Sequence, residues 1–172
     1  MKWLCVPVVL FPYSVLGVLY CLFTGVLMES VFQNNGLFCV AFLFLWMLLG
    51  FVCAVWIGIR GTRTLDCHHL ARIVMIIKLA QIPAYCAIFV LAALFTLIIF
   101  TFGFTIALAF FDAMAIGMTG ILGAFCVRKC CRYGLLAPSV GLVHGLLQFI
   151  FCLDVISSIW VYFKTKQKKS AG

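Results

Sequence analysis

The sequence predicts an all-α protein, a polytopic bundle of transmembrane helices, on three observations. Of its 172 residues, 67% are hydrophobic and only 9% are charged, whereas soluble proteins are roughly 45–50% apolar and about 25% charged. The hydrophobic residues form unbroken runs longer than the ~18 residues that distinguish membrane spans from buried helices. These runs also lack the short apolar–polar alternation that is typical of a transmembrane β-barrel. Together the three observations exclude a water-soluble globular domain.

Five hydrophobic segments are long enough to cross a membrane, and we expect them to form one domain over residues 1–163. The segments run from about Trp3 to Leu27, Leu37 to Ile59, Leu79 to Phe100, Phe104 to Val127 and Val140 to Phe163. The first segment is too long for the apolar core of a cleaved signal peptide, so we expect it to be retained. The tight connection TFGFT at 101–105 predicts a hairpin between the third and fourth spans. The sequence KTKQKKSAG at 164–172 predicts a basic, disordered tail.

The loop after the second segment contains the start of the next helix. Thr64 and Asp66 are both good N-cap residues for a helix that begins near Cys67. Residues 68–78 either lie in the membrane interface before the third span or extend that span. Pro83 falls in the first turns of the span, and the carbonyl group that it frees needs a donor from Gln81 or from a neighbouring helix.

Lys and Arg predict the orientation, because cytoplasmic loops carry an excess of these residues. With the amino terminus in the cytoplasm, the outer side holds only the four lysines of the tail. The inner side then holds Lys2, Arg60, Arg63, Arg72, Lys78, Arg128, Lys129 and Arg132. The four lysines of the tail are an exception to this rule unless the last segment is re-entrant and returns them to the cytoplasm. Residues 135–163 are too few for two full spans but enough for a broken hairpin around Pro138 to Gly145.

The formal net charge of +8 predicts contact with the anionic headgroups of the lipid bilayer. The basic residues stand in short clusters between apolar segments, so nucleic acid is not the expected partner. We expect five of them to contact anionic lipid: Arg60, Arg63, Arg128, Lys129 and Arg132. The 10 cysteines lie mostly inside the apolar segments, where cysteine behaves as a small hydrophobic residue.

Four stretches of the chain carry a family resemblance. They are LFTGVLMESVFQNN at 22–35, KLAQIPAYCAIF at 78–89, FTFGFTIAL at 100–108 and LLQFIFCLDVISSIWVY at 146–162. In these stretches, and over most of its length, the chain resembles an uncharacterised family of small multi-span membrane proteins of Gram-positive gut bacteria. The resemblance implies a bacterial plasma membrane and no established activity, and it transfers no functional residue.

The sequence has no motif of a known catalyst, so we do not expect an enzyme. There is no Gly-rich phosphate loop, no H-E-x-x-H and no G-x-S-x-G. Six residues in two basic loops have side chains that could bind zinc: Cys67, His68, His69, Cys126, Cys130 and Cys131. Their spacing does not match a usual zinc motif, and we expect them to hold no metal. No other cofactor is expected.

Two carboxylates inside apolar segments are the strongest candidates for a function. Asp112 lies in the fourth segment and Asp154 in the fifth, and each must be protonated, share a proton or bind a cation. If the two helices are antiparallel neighbours, both carboxyl groups lie about 12–14 Å in from the outer end. We therefore predict an intramembrane polar pair of Asp112 and Asp154, with Ser157 and Ser158 on the same face as Asp154.

Rows of small residues predict close contacts between helices. Ala109, Ala113 and Gly117 lie at intervals of four in the fourth segment, and Asp112 belongs to the same row. The fifth segment has a GxxxG motif at 141–145. We expect Asp112 to face a neighbouring helix rather than lipid.

Two classes of function remain open. In the first, the protein has a structural, regulatory or partner-binding role, and it associates with itself or with another membrane protein. In the second, it is a small proton- or cation-coupled translocator that uses Asp112 and Asp154. His144 and Gln148, one turn apart, either join helices by hydrogen bonds or act as a proton relay. The small number of spans and the lack of an evident inverted repeat favour the first class.

Overall fold

The structure, a computed structural model, describes residues 2–25, 35–97 and 101–170. Within these ranges the chain is all-helical, as the sequence predicts. The helices are α1 Lys2–Thr24, α2 Gly36–Thr64, α3 Cys67–Thr96, α4 Phe102–Arg132, α5 Pro138–Leu147 and α6 Leu153–Ser170. The first four are long and apolar enough to cross a membrane. Residues 1, 26–34, 98–100 and 171–172 lie outside the described residues.

The four long helices run alternately up and down, with α4 packed against α1, α2 and α3. The ring of Phe23 in α1 stacks on Phe95 of α3 with 5.5 Å between centroids, so α1 ends where α3 ends. The predicted hairpin of the third and fourth spans is confirmed as α3 and α4. We call the opposite end, where α2 and α4 finish at Thr64 and Arg132, the basic end.

The helix α3 begins at Cys67, as the sequence predicts. Of the two candidate N-cap residues, Asp66 holds the position, although its side chain makes no capping hydrogen bond. It continues without a break to Thr96, so residues 68–78 extend the third span rather than form a separate interfacial helix. Lys78 is therefore about 16 Å from the start of the helix at 1.5 Å per residue. Its side chain is 0% exposed. The prediction that Lys78 is a loop cation is wrong, because the span begins earlier than its apolar run.

A hydrogen bond from α3 compensates for Pro12 inside α1. Pro12 cannot donate to the carbonyl group of Val8, and the side-chain amide of Gln81 donates to that oxygen at 2.7 Å instead. The hydroxyl group of Tyr13 also donates to the carbonyl oxygen of Ala80 at 2.5 Å. The carbonyl group that Pro83 frees is that of Leu79, so this bond joins α1 to α3 without compensating for Pro83. Such partners are needed because a bilayer core offers no water to the backbone.

The last apolar segment is not the continuous fifth span that the sequence predicts. Residues 148–152 divide it into α5 and α6. Cys152 takes the left-handed conformation with φ 63°, which residues other than glycine rarely adopt. The 10 residues of α5 are about 15 Å long, half the ~30 Å core of a bilayer. α6 continues to Ser170, so residues 164–170, which the sequence predicts to be disordered, are helical.

Together α5 and α6 form a re-entrant hairpin, which enters the bundle from the basic end and returns to it. α5 begins beside the end of α4, where the missing side chain of Gly141 leaves room for Sγ of Cys131. The end of α5 reaches Gly120 in the middle of α4. α6 then runs back, and its Tyr162 ring stacks on His68 near the start of α3 with 5.0 Å between centroids. Both ends of the hairpin therefore lie at the basic end.

Two glycines of α4 allow the turn of the hairpin to approach closely. A Cβ atom at Gly120 would lie 2.7 Å from the ring of Phe149 and 2.9 Å from the carbonyl oxygen of Gln148. A Cβ atom at Gly123 would lie 2.2 Å from the side-chain oxygen of Gln148. At Gly120 the obstacle includes backbone, so the hairpin cannot pack there against a larger residue without moving, whereas at Gly123 it is the side chain of Gln148 alone.

Replacement of Gly120 by alanine should detach the hairpin from α4. The added Cβ would collide with the backbone of Gln148, which cannot rotate away as a side chain can. We expect Gly120→Ala to lower the midpoint of thermal unfolding in detergent by several degrees.

The matched control is Gly117→Ala on the same helix. Its Cβ would lie at an ordinary contact distance, 3.7 Å, from Phe51, and alanine favours a helix over glycine by about 1 kcal/mol. The control should therefore be neutral or stabilising. An equal loss of stability in both variants would contradict the role of Gly120.

Candidate functional site

An ion pair between α3 and α6 forms the polar centre of the molecule. Nζ of Lys78 lies 3.0 Å from Oδ2 of Asp154. Both side chains are buried, with exposed fractions of 0% and 2%. The pair lies at the depth where the re-entrant hairpin turns. An unpaired charge at such a depth in a membrane costs at least ~2.5–3.5 kcal/mol, so each partner makes the burial of the other possible.

The two charges lie at the end of α5 and the start of α6, where helix ends leave backbone groups without hydrogen-bond partners inside the helix. At the end of α5, Nζ of Lys78 also donates to the carbonyl oxygen of Gln148 at 3.5 Å. At the start of α6, Oδ1 of Asp154 accepts a hydrogen bond from the backbone N–H of Val155 at 2.8 Å. A cation at the carboxyl end of a helix and an anion at the amino end are both favourable. The ion pair thus stabilises the break between α5 and α6.

Side-chain hydrogen bonds join α5 to α6 next to the ion pair. Oγ of Ser157 lies 2.8 Å from Nδ1 of His144 and accepts a hydrogen bond from Nε2 of Gln148 at 3.2 Å. The hydroxyl group of Ser158 donates to Oε1 of Gln148 at 3.1 Å. The ring of Trp160 stacks on His144 with 4.2 Å between centroids. Four residues that the sequence singles out therefore meet inside one hairpin.

The predicted pairing of Asp112 with Asp154 does not occur as a hydrogen bond. Asp154 is instead neutralised by Lys78, which the sequence analysis had placed in a loop. The hairpin also puts Asp154 at its turn, rather than on a helix that crosses the membrane beside α4.

Asp112 has different surroundings from Asp154. Its Oδ1 atom is buried and has no hydrogen-bond partner among the described residues. It lines a cavity of about 230 Å³ together with Phe151 of the hairpin turn and Phe89 of α3. Ala109 and Ala113, from the predicted small-residue row, line the same cavity, and both are exposed. These two alanines thus face a cavity between α3, α4 and the hairpin turn, whereas Gly117 of the same row lies next to Phe51 of α2.

Lys129 has a structural position at the basic end. It is 5% exposed, and its Nζ donates to the carbonyl oxygens of Gly61 at 3.3 Å and of Leu65. These carbonyl groups belong to the carboxyl end of α2, where a cation is favourable. Lys129 is one of the five residues predicted to contact lipid, but its side chain binds the protein backbone instead. The four arginines at 60, 63, 128 and 132 are exposed.

Three of the cysteines considered as zinc ligands come together at the basic end. Cys130 is a close neighbour of Cys67 and Cys126. His69 lies elsewhere, with Nδ1 3.6 Å from the carboxylate of Asp66. Within the ranges that the structure describes, no group of three or more His, Cys, Asp or Glu side chains is arranged to hold a metal ion.

Comparisons of the chain with protein-family models, with curated proteins and with solved structures find no match. The resemblance to membrane proteins of Gram-positive gut bacteria therefore stays a prediction.

Lys78 is not among the predicted residues of this site, although the sequence carries a signal for it. The segment RIVMIIKLAQIP has Lys78 between two apolar stretches. Once the helix is taken to begin at its N-cap Asp66, Lys78 falls three turns inside it. A lysine at that depth requires an acidic partner, and Asp154 is one of only four acidic residues in the chain.

Loss of one partner of the ion pair should destabilise the protein more than loss of both. A single substitution leaves a buried charge uncompensated, which costs roughly 3–5 kcal/mol. We expect Lys78→Met and Asp154→Asn each to lower the free energy of unfolding in mixed micelles by about that amount. The double variant should recover a large part of the loss, as the coupling free energy of a double-mutant cycle measures.

Lys164→Met is the control, because it removes an equal charge from an exposed position of α6. This variant should leave the free energy of unfolding almost unchanged. Strictly additive losses in the double variant would show that Lys78 and Asp154 do not stabilise each other.

Proposed function

We propose that the protein is a small integral protein of the cell membrane with a structural, regulatory or partner-binding role. In this role its polar residues hold the re-entrant hairpin in the bundle. The observation that carries the proposal is the buried pair of Lys78 and Asp154. A carboxylate that is paired with lysine and bonded to its own helix is suited to fixing a structure. Proton exchange would require that pair to be broken inside the membrane.

The geometry of Ser157 and His144 does not lead us to propose an enzyme. Their 2.8 Å contact is the distance expected of a nucleophile and its general base. However, Ser157 is only 2% exposed, and its Oγ already accepts a hydrogen bond from Gln148. A substrate therefore has no access to this hydroxyl group. The contact is better explained as part of the bonding between α5 and α6.

One observation favours the alternative of a small proton- or cation-coupled translocator. Oδ1 of Asp112 is buried without a hydrogen-bond partner among the described residues, at a cavity that includes Phe151 of the hairpin turn. Carboxylates inside membranes often belong to ion or proton pathways. In this alternative Asp112 binds the proton or cation, and Asp154 belongs to the fixed part of the protein.

We further propose that the basic end faces the cytoplasm. The chain has 12 Lys and Arg residues, and Lys78 is the one that lies in the buried ion pair. The others belong to the start of α1, the α2–α3 and α4–α5 junctions with the adjoining turns, and the end of α6, all at the basic end. The positive-inside rule then requires no exception. Both the amino and the carboxyl terminus are cytoplasmic in this arrangement.

A proton-flux assay separates the two proposed functions. The purified protein is placed in liposomes that contain a pH-sensitive dye, and a potassium diffusion potential is imposed. For a structural role, we expect the flux to equal that of protein-free liposomes. A flux through the wild type that Asp112→Asn abolishes, in a variant that still folds, would replace the structural proposal with the translocator.

A reporter fused after Gly172 tests the orientation. With a re-entrant hairpin, we expect a fused green fluorescent protein to fluoresce and a fused alkaline phosphatase to stay inactive, because both lie in the cytoplasm. The same reporters fused after Thr24, at the other end of the bundle, form the control and should give the opposite result. Active phosphatase after Gly172 would mean that the last segment crosses the membrane.

A further inference from the structure

The basic end contains a pocket between α2 and α4 that takes no part in the polar centre. It has a volume of about 500 Å³. Arg63 at the end of α2 and Arg128 and Arg132 in the last turns of α4 line it, and Ile59 and Phe125 add an apolar wall. Three arginines from two helices thus meet around one cavity.

The guanidinium groups of these three arginines have no carboxylate partner among the described residues. The two ion pairs found there join His69 to Asp66 and Lys78 to Asp154. All three arginines are exposed and free to turn toward a ligand. Lys129 also lines the pocket, but it donates to carbonyl groups of the α2 end. The pocket therefore holds three uncompensated positive charges, which favour an anion.

The position of the pocket favours a lipid as the source of that anion. α2 and α4 are long enough to span a membrane, and the pocket lies where both end, at the level of the lipid headgroups. Ile59 is 40% exposed, so the apolar wall continues onto the outside of the bundle. Guanidinium groups bind phosphate oxygens through paired hydrogen bonds. An anionic phospholipid has a phosphate group that would meet the arginines and acyl chains that would meet the apolar wall.

We propose that the pocket is a discrete site for one anionic phospholipid. The three arginines hold its phosphate group, and its acyl chain lies against Ile59 and Phe125. The inference rests on the proposed function of an integral membrane protein, and it deepens that function by naming a partner class. It assigns a single saturable site and leaves Arg60 outside it, whereas the sequence predicts a general contact of all five basic residues with lipid.

Native mass spectrometry of the full chain from neutral detergent tests the proposal. The probes are dioleoyl phosphatidylglycerol, dioleoyl phosphatidylcholine and inorganic phosphate, at 0.15 M salt to screen distant charges. We expect one phosphatidylglycerol to bind in preference to phosphatidylcholine. The variant R63Q/R128Q/R132Q should weaken this binding by about 100-fold, because each charge near the surface contributes roughly fivefold.

The control R60Q/K164Q/K166Q removes the same charge from exposed residues of the basic end that do not line the pocket. It should bind phosphatidylglycerol almost as the wild type does. Thermal unfolding without lipid checks that both variants fold. If the first variant does not fold, Arg128→Gln is compared with Arg60→Gln, and only the former should weaken binding.

Equal weakening in the two variants would overturn the site in favour of diffuse surface charge. Equal binding of phosphatidylcholine would remove the requirement for an anionic lipid. Displacement of phosphatidylglycerol by inorganic phosphate would identify a site for soluble phosphate instead. Any of these results would reject the lipid site. If the reporter assay also places the tail in the cytoplasm, the proposed function still stands.

Discussion

The buried ion pair of Lys78 and Asp154 is the interaction on which the rest of this structure depends. It lies where α5 ends and α6 begins, so the two charges complement the ends of both helices as well as each other. A helix break inside a bilayer exposes backbone groups that lipid cannot satisfy. The pair supplies partners at that break, and the chain can therefore turn inside the bundle instead of continuing to the opposite face.

The turn determines where the last part of the chain lies. Because α6 returns to the basic end, its lysines join the arginines of the two other junctions. The Cβ-free surface of α4 at Gly120 and Gly123 is the second requirement, since it admits Gln148 and Phe149 of the turn. The close packing against glycine and the ion pair thus both hold the turn of the hairpin, at Gln148, Phe149 and Asp154.

Polar residues inside a membrane do not by themselves indicate transport, and those of the hairpin have a structural explanation. Ser157, Ser158, His144 and Gln148 bond to one another, which is a common way for polar side chains to join helices in membranes. Asp112, by contrast, keeps a buried side-chain oxygen without a hydrogen-bond partner among the described residues. If the protein exchanges protons or cations, Asp112 is therefore the residue suited to bind them.

By itself the sequence determined the helical class, the first four apolar segments as helices, the start of a helix near Cys67 and the hairpin of α3 and α4. These features depend on local properties, namely the length of an apolar run, a capping residue and a short connection. The tertiary structure alone decided that the last segment turns back and that Lys78, 76 residues away, is the partner of Asp154. It also left Asp112 at an open cavity. The depth and neutralisation of a charge depend on which helices pack together, and no local pattern in one chain encodes that choice.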